Sequence, residues 1–180
     1  MLPNGRICPE DLGIWSTAHT EAFKPIVAFI QSQGAKAGIQ LAHSGRKGST
    51  LAPWLDASTM SPNVETCIAA TGEANGWEDV WAPSAIPFAE DKYPTPVAMT
   101  LEHIDELKEA WRAAVVRSDE AGFDVVELHL AHGYLVSLLL HDEKRKLALT
   151  LVLLRLRSST TSSRRCPTTG LTSMVEACAR

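Results

Sequence analysis

The chain has 180 residues, 45% hydrophobic and 21% charged, with a formal net charge of −4, which is enough for one ordinary domain. No run approaches the ~18 apolar residues that a membrane span needs, and the N-terminus lacks the basic-then-apolar layout of a signal peptide. Cys8, Cys67, Cys166 and Cys178 have neither metal-ligand spacing nor a disulfide framework, so the default expectation is a reduced, cytoplasmic chain.

Residues 3 to 15 read as a loop punctuated by Pro3, Gly5, Pro9 and Gly13. A helix is expected from about Ser16 to Gln33, with Ala22, Phe23, Ile26, Val27 and Ile30 on one face and Gly34 as its stop. Pro25 should kink it, or confine its strong part to the residues that follow. Residues 35 to 43 read as a strand, with Ile39, Leu41 and His43 on one face and Gly38, Gln40 and Ala42 on the other. From Gly48 to about Met99 no periodicity is sustained. Such a length without elements is expected only of a functional loop, here an active-site cover with Trp54, Trp77 and Trp81 as its apolar walls.

Thr100 then caps the clearest helix, in which Leu101, Ile104, Leu107, Trp111, Ala114 and Val115 recur at three-and-four spacing. It ends near Gly122, and Phe123 to Leu128 follow as a buried parallel strand. Helix, strand, long loop, helix, strand is the order of a parallel α/β fold.

The charge reverses late in the chain. Residues 1 to 140 hold 9 Lys+Arg against 18 Asp+Glu, whereas residues 141 to 180 hold 8 against 3. A basic tail is compatible with nucleic acid or membrane, but this one lacks aromatic platforms and amphipathic spacing. The expectation is therefore no nucleic-acid and no membrane partner. Instead a domain at 1–140 is followed by a tail at 141–180 that is aberrant or disordered, the product of a shifted frame, a retained intron or a wrong gene model.

The residues that carry chemistry stand where the second strand ends: His129-Leu130-Ala131-His132-Gly133-Tyr134-Leu135. Two imidazoles can fix an oxygen, and a phenol beside them can give a proton. The pair alone does not make a metal site. Upstream, residues 38 to 47 (G-I-Q-L-A-H-S-G-R-K) place Gln40 on a strand face and end in a polar turn. With G-R-I-C-P-E-D-L-G-I-W at 5 to 15 and W-A-P-S-A-I-P-F at 81 to 88, these stretches resemble, in order, the old yellow enzyme family of FMN-dependent ene-reductases. The match is to the branch with a His-x-x-His pair, and it covers about residues 1 to 140.

That resemblance implies a (β/α)₈ barrel, for which a complete copy needs about 250 residues. The expected fold class is thus α/β, an incomplete TIM-barrel fragment of about two βα units. The implied activity is reduction of an activated C=C bond in an enone or nitroalkene, with FMN as cofactor and NADPH or NADH as reductant. By resemblance His129 and His132 bind the substrate oxygen, Tyr134 is the catalytic proton donor and Gln40 contacts the flavin. His43 resembles a position beside the flavin loop, Arg46 and Lys47 either reach a ligand or solvate their turn, and Glu127 reads as a buried structural carboxylate or a solvated one. A homo-oligomer is compatible with a full-length protein. The alternative reading is a non-catalytic fragment unable to hold FMN alone, since barrel phosphate grips come from loops after the seventh and eighth strands.

Overall fold

In the computed structural model, residues 1–52, 54–55, 75–90 and 92–141 are described; the expected tail, apart from its first residue, lies outside them. The elements run α1 (Thr17–Ser32), β1 (Gly38–Leu41), β2 (Trp81–Ala82), β3 (Val97–Ala98), α2 (Leu101–Ala121), β4 (Val125–Leu128) and α3 (Leu135–His141). Single 3-10 turns lie at Pro3–Gly5 and Gly45–Lys47.

Strands β1 and β4 pair in parallel, Gly38 opposite Val125 through Leu41 opposite Leu128, so the α/β expectation holds. The pairing is set by Asp124. Its carboxylate accepts from Lys36 Nζ at 2.8 Å, Gln31 Nε2 at 2.9 Å and the Ala37 amide at 3.0 Å, tying the end of α1 to the starts of both strands. The Lys36 ammonium first, then Gln31 and Ala37, hold this carboxyl well below the usual carboxylate range. The first strand is shorter than the expected 35 to 43, because its partner supplies four rungs. Its alternation is as expected: Leu41 and His43 are buried, Gly38 and Gln40 exposed.

The second strand is not buried on both faces. Val126 and Leu128 are half-buried, whereas Val125 and Glu127 are exposed beside Gly38 and Gln40. Of the two readings of Glu127, its exposure supports the solvated one. Among the described residues, helices cover only one face of this sheet.

Helix α1 runs unbroken through Pro25. Its packed stripe is Thr20, Phe23, Val27 and Ile30, with Phe23 edge-on to Phe123 at 5.5 Å; Ala22 and Ile26, expected inside, are exposed. The stripe is centred a turn-fraction away from the expected one, since Ile26 lies about 100° around the helix from Val27.

Helix α2 begins as expected. Thr100 Oγ1 accepts from the His103 amide at 3.3 Å and the Thr100 amide donates to His103 Nδ1 at 3.2 Å. This is a capping box with histidine where Glu or Gln is usual. Gly122 ends the helix at φ +91°, the left-handed region. Ile104, Leu107, Trp111 and Ala114 are buried, but Leu101 is exposed, since it precedes the packed stripe.

The long loop is not featureless. β2 and β3 pair in parallel over two residues each, and Trp81, expected as an apolar wall, is a core residue beside Leu41, Met99, Leu107 and Leu135. Trp54 is exposed and Trp77 half-buried. Helix α3, which periodicity did not reveal, buries Leu135, Val136 and Leu139 against this same core.

Candidate functional site

Strand β4 delivers its histidine at the carboxyl end of both parallel strands, where the His129 amide donates to the Leu41 carbonyl at 2.8 Å. The chain then reverses through two consecutive left-handed residues, His132 at φ +59° and Gly133 at φ +68°. Glycine takes that conformation freely, whereas for His132 it costs about 1 kcal/mol. The turn is held from the other strand's loop. The Leu135 amide donates to the His43 carbonyl at 3.1 Å, and Lys47 Nζ donates to the His132 carbonyl at 2.9 Å. Gly45 permits this approach, since a Cβ there would stand 2.9 Å from the Leu135 nitrogen.

The turn brings together three of the four residues singled out by sequence. His129 Nε2 and His132 Nδ1 face each other at 3.2 Å, with ring centroids 5.1 Å apart. The Tyr134 ring lies 4.9 Å from that of His129. The Ala131 amide points at His129 Nδ1 across 3.4 Å, which assigns the His129 proton to Nε2, whence it bonds to His132 Nδ1. His132 then carries its proton on the exposed Nε2. Gln40 stands opposite Glu127 on the open face of the sheet, the face that His129 continues by alternation. Its side chain makes no part of the ring cluster.

His43 is packed in the core, with its Nε2 buried and without a hydrogen-bond partner among the described residues. It is 1% exposed, its Nδ1 accepts from the Gly45 amide at 3.1 Å, and its ring stacks on Trp81. Burial lowers its pKa to about 3, so it is a neutral core residue. Cys8 is equally inert. Burial first, then its bond to Asp11, pushes the thiol up to about 12, far from thiolate chemistry at neutral pH. Among the described residues no group of three or more His, Cys, Asp or Glu can hold a metal, and no described helix is long and apolar enough to cross a membrane.

Phe88, which sequence reading passed over, borders the loop that holds the histidine turn. It lies under Lys47 at 4.2 Å and Arg46 at 5.8 Å. The signal was present in the segment 81 to 88, where family likeness was noted without a role for the aromatic ring.

Comparison with known proteins agrees with this architecture. A model of the NADH:flavin oxidoreductase / NADH oxidase family matches residues 1–145. An NADH:flavin oxidoreductase of Gibberella zeae is 45% identical over 134 residues, which are 74% of this chain and 30% of that protein. NADPH dehydrogenases of Bacillus velezensis and Bacillus subtilis are 43% and 42% identical over 134 residues, each match covering 74% of this chain and 32% of the relative. The chain thus spans about a third of the length of the curated relatives it matches. The parallel α/β unit, the sequence likeness to the old yellow enzymes and the family match agree: this chain belongs to the NADH:flavin oxidoreductase / NADH oxidase family.

Proposed function

We propose that residues 1–140 are part of a (β/α)₈ barrel of an FMN-dependent, NAD(P)H-consuming ene-reductase, in which the His129–Tyr134 turn grips and protonates the substrate. The observation that carries this reading is the cluster of two imidazoles and a phenol at the carboxyl ends of β1 and β4, the end at which such folds work. The residues present fit a flavin in one respect. Gln40 offers a carboxamide, both donor and acceptor, from an open face beside the exposed Gly38. Bound reduced FMN supplies a hydride for the β-carbon of an alkene conjugated to a carbonyl or nitro group.

The chain's own residues then manage charge and proton. An oxygen seated beside His129 Nε2 and His132 Nδ1, now 3.2 Å apart, takes a hydrogen bond from each once His132 moves its proton to Nδ1. Solvent exposure of His132 leaves that exchange open. Donors aimed at developing negative charge are worth about 10²–10³ in rate each. Tyr134 gives the α-carbon its proton, a general-acid step worth about 10²–10⁴.

The test joins residues 1–140 in frame to the remaining barrel of a matching relative. His129→Ala and His132→Ala are each expected to lower alkene turnover by about 10²-fold while leaving flavin content nearly unchanged. Loss of flavin with full turnover per remaining flavin would contradict the assignment. A second reading concerns the 180-residue product by itself. Its sheet face of Gly38, Gln40, Val125 and Glu127 is exposed, so flavin would meet few contacts there, and the product is expected to purify with far less than one FMN per chain.

A further inference from the structure

Two cations beside the histidine turn make no ion pair among the described residues. Among the described residues, the ion pairs are made by Lys24, Lys36, Lys108 and Arg112; Arg46 and Lys47 pair with no carboxylate. Both are half-buried. Their hydrogen bonds go to neutral carbonyls, Arg46 Nη1 to Ile86 at 3.4 Å and Lys47 Nζ to His132 at 2.9 Å. Arg46 Nε is buried with no hydrogen-bond partner. Both charges border a single ring, that of Phe88, and Lys47 Nζ lies 5.7 Å from the Tyr134 ring as well. Two like charges around one aromatic ring repel each other, and partial burial weakens the screening that would relieve them. Arg6 and Arg117 likewise make no ion pair among the described residues, but only Arg46 and Lys47 stand side by side at the histidine turn.

We propose that Arg46, Lys47 and the Phe88 ring form an anion-binding subsite next to the histidine turn, which takes a carboxylate or phosphate on the ligand that enters the site. The exposed ring supplies a plate for a planar group, Lys47 a point charge and Arg46 a directional donor, the buried Nε. This rests on the reading of residues 129–134 as the substrate site and extends it from neutral enones to anionic ligands. The anion belongs either to the substrate or to the phosphates of the nicotinamide reductant.

Side-chain proton–nitrogen NMR of the 180-residue chain tests this, with Arg46 Nε–H and the histidine rings as reporters. Four probes are titrated: cinnamate against the neutral cinnamaldehyde, and NADPH against nicotinamide. At least one anion is expected to bind about tenfold tighter than its neutral counterpart and to move the Arg46 signal. Arg46→Gln/Lys47→Met should erase that gain, Lys47→Arg should keep it, and added salt should weaken it. A gain for cinnamate places the anion on the substrate; a gain for NADPH alone places it on the reductant. If the double variant loses its helical circular dichroism, Lys47→Gln alone takes its place. The proposal is overturned if no anion moves Arg46, or if the charge-removing variant binds both anions as the wild type does. Cinnamaldehyde reports separately on the histidine turn. If it fails to move His129 and His132, the substrate-site reading fails while the anion result still stands on its own.

Discussion

His43 and Asp124 give this chain two acid-sensitive points with separate pH windows. His43 is held neutral in the core, its pKa lowered from 6.5 to about 3 by burial. Between those values the unfolded chain binds a proton that the folded chain refuses, so stability is full above about pH 6.5 and falls as the pH drops toward 3. At pH 5 the loss is about 2 kcal/mol relative to pH 7.5, to be read from urea midpoints and flattened by His43→Gln. Asp124 is lowered by Lys36, Gln31 and Ala37. Its contribution is present above the ordinary aspartate range and is lost as the pH falls through that range and below it, a fall that Asp124→Asn should abolish. Neither residue's role was legible in sequence. His43 stood on the apolar side of its strand in the alternation, but the Trp81 ring that seals it comes from a segment without periodicity. Glu127 stayed open between buried and solvated for a related reason, since which face of a strand is covered depends on layers that the strand itself does not encode.

Helix α2 shows what a sequence does record about an element. Its cap, its glycine stop and, Leu101 apart, its apolar stripe are local signals, and all were found in place. Thr100→Ala removes the acceptor for the His103 amide and is expected to cost about 1 kcal/mol. Gly122→Ala, at φ +91°, should cost about as much. Both are read by thermal or urea unfolding, and an unchanged midpoint for either would show that the helix end frays freely. The elements that sequence missed are short. β2 and β3 have two residues each, too few to repeat a pattern, and α3 is a seven-residue apolar run whose helical state comes from packing Leu135 and Leu139 into the core. Pro25 was expected to disturb α1, but one lost backbone bond did not outweigh the packing of Phe23 and Val27 against Phe123 and α2.

At the scale of the whole molecule, a parallel pair of strands places the His129–Tyr134 turn at one end and leaves one sheet face open. The clustering of His129, His132 and Tyr134 was more legible than the fold. The residues of the turn lie within six positions of one another, so their proximity is written in the chain, while Gln40 reaches the sheet face that leads to them only through the β1–β4 register. If, as proposed, this turn fixes a substrate oxygen and delivers a proton, the two half-reactions separate those tasks from flavin chemistry. With residues 1–140 set in a complete barrel, stopped-flow absorbance of the flavin follows its reduction by NADPH and then its reoxidation by cyclohexenone. Tyr134→Phe is expected to leave the first rate nearly unchanged and to slow the second by about 10²-fold or more. Equal rates for Tyr134 and Phe in the second step, or an equal slowing of both steps, would contradict the account.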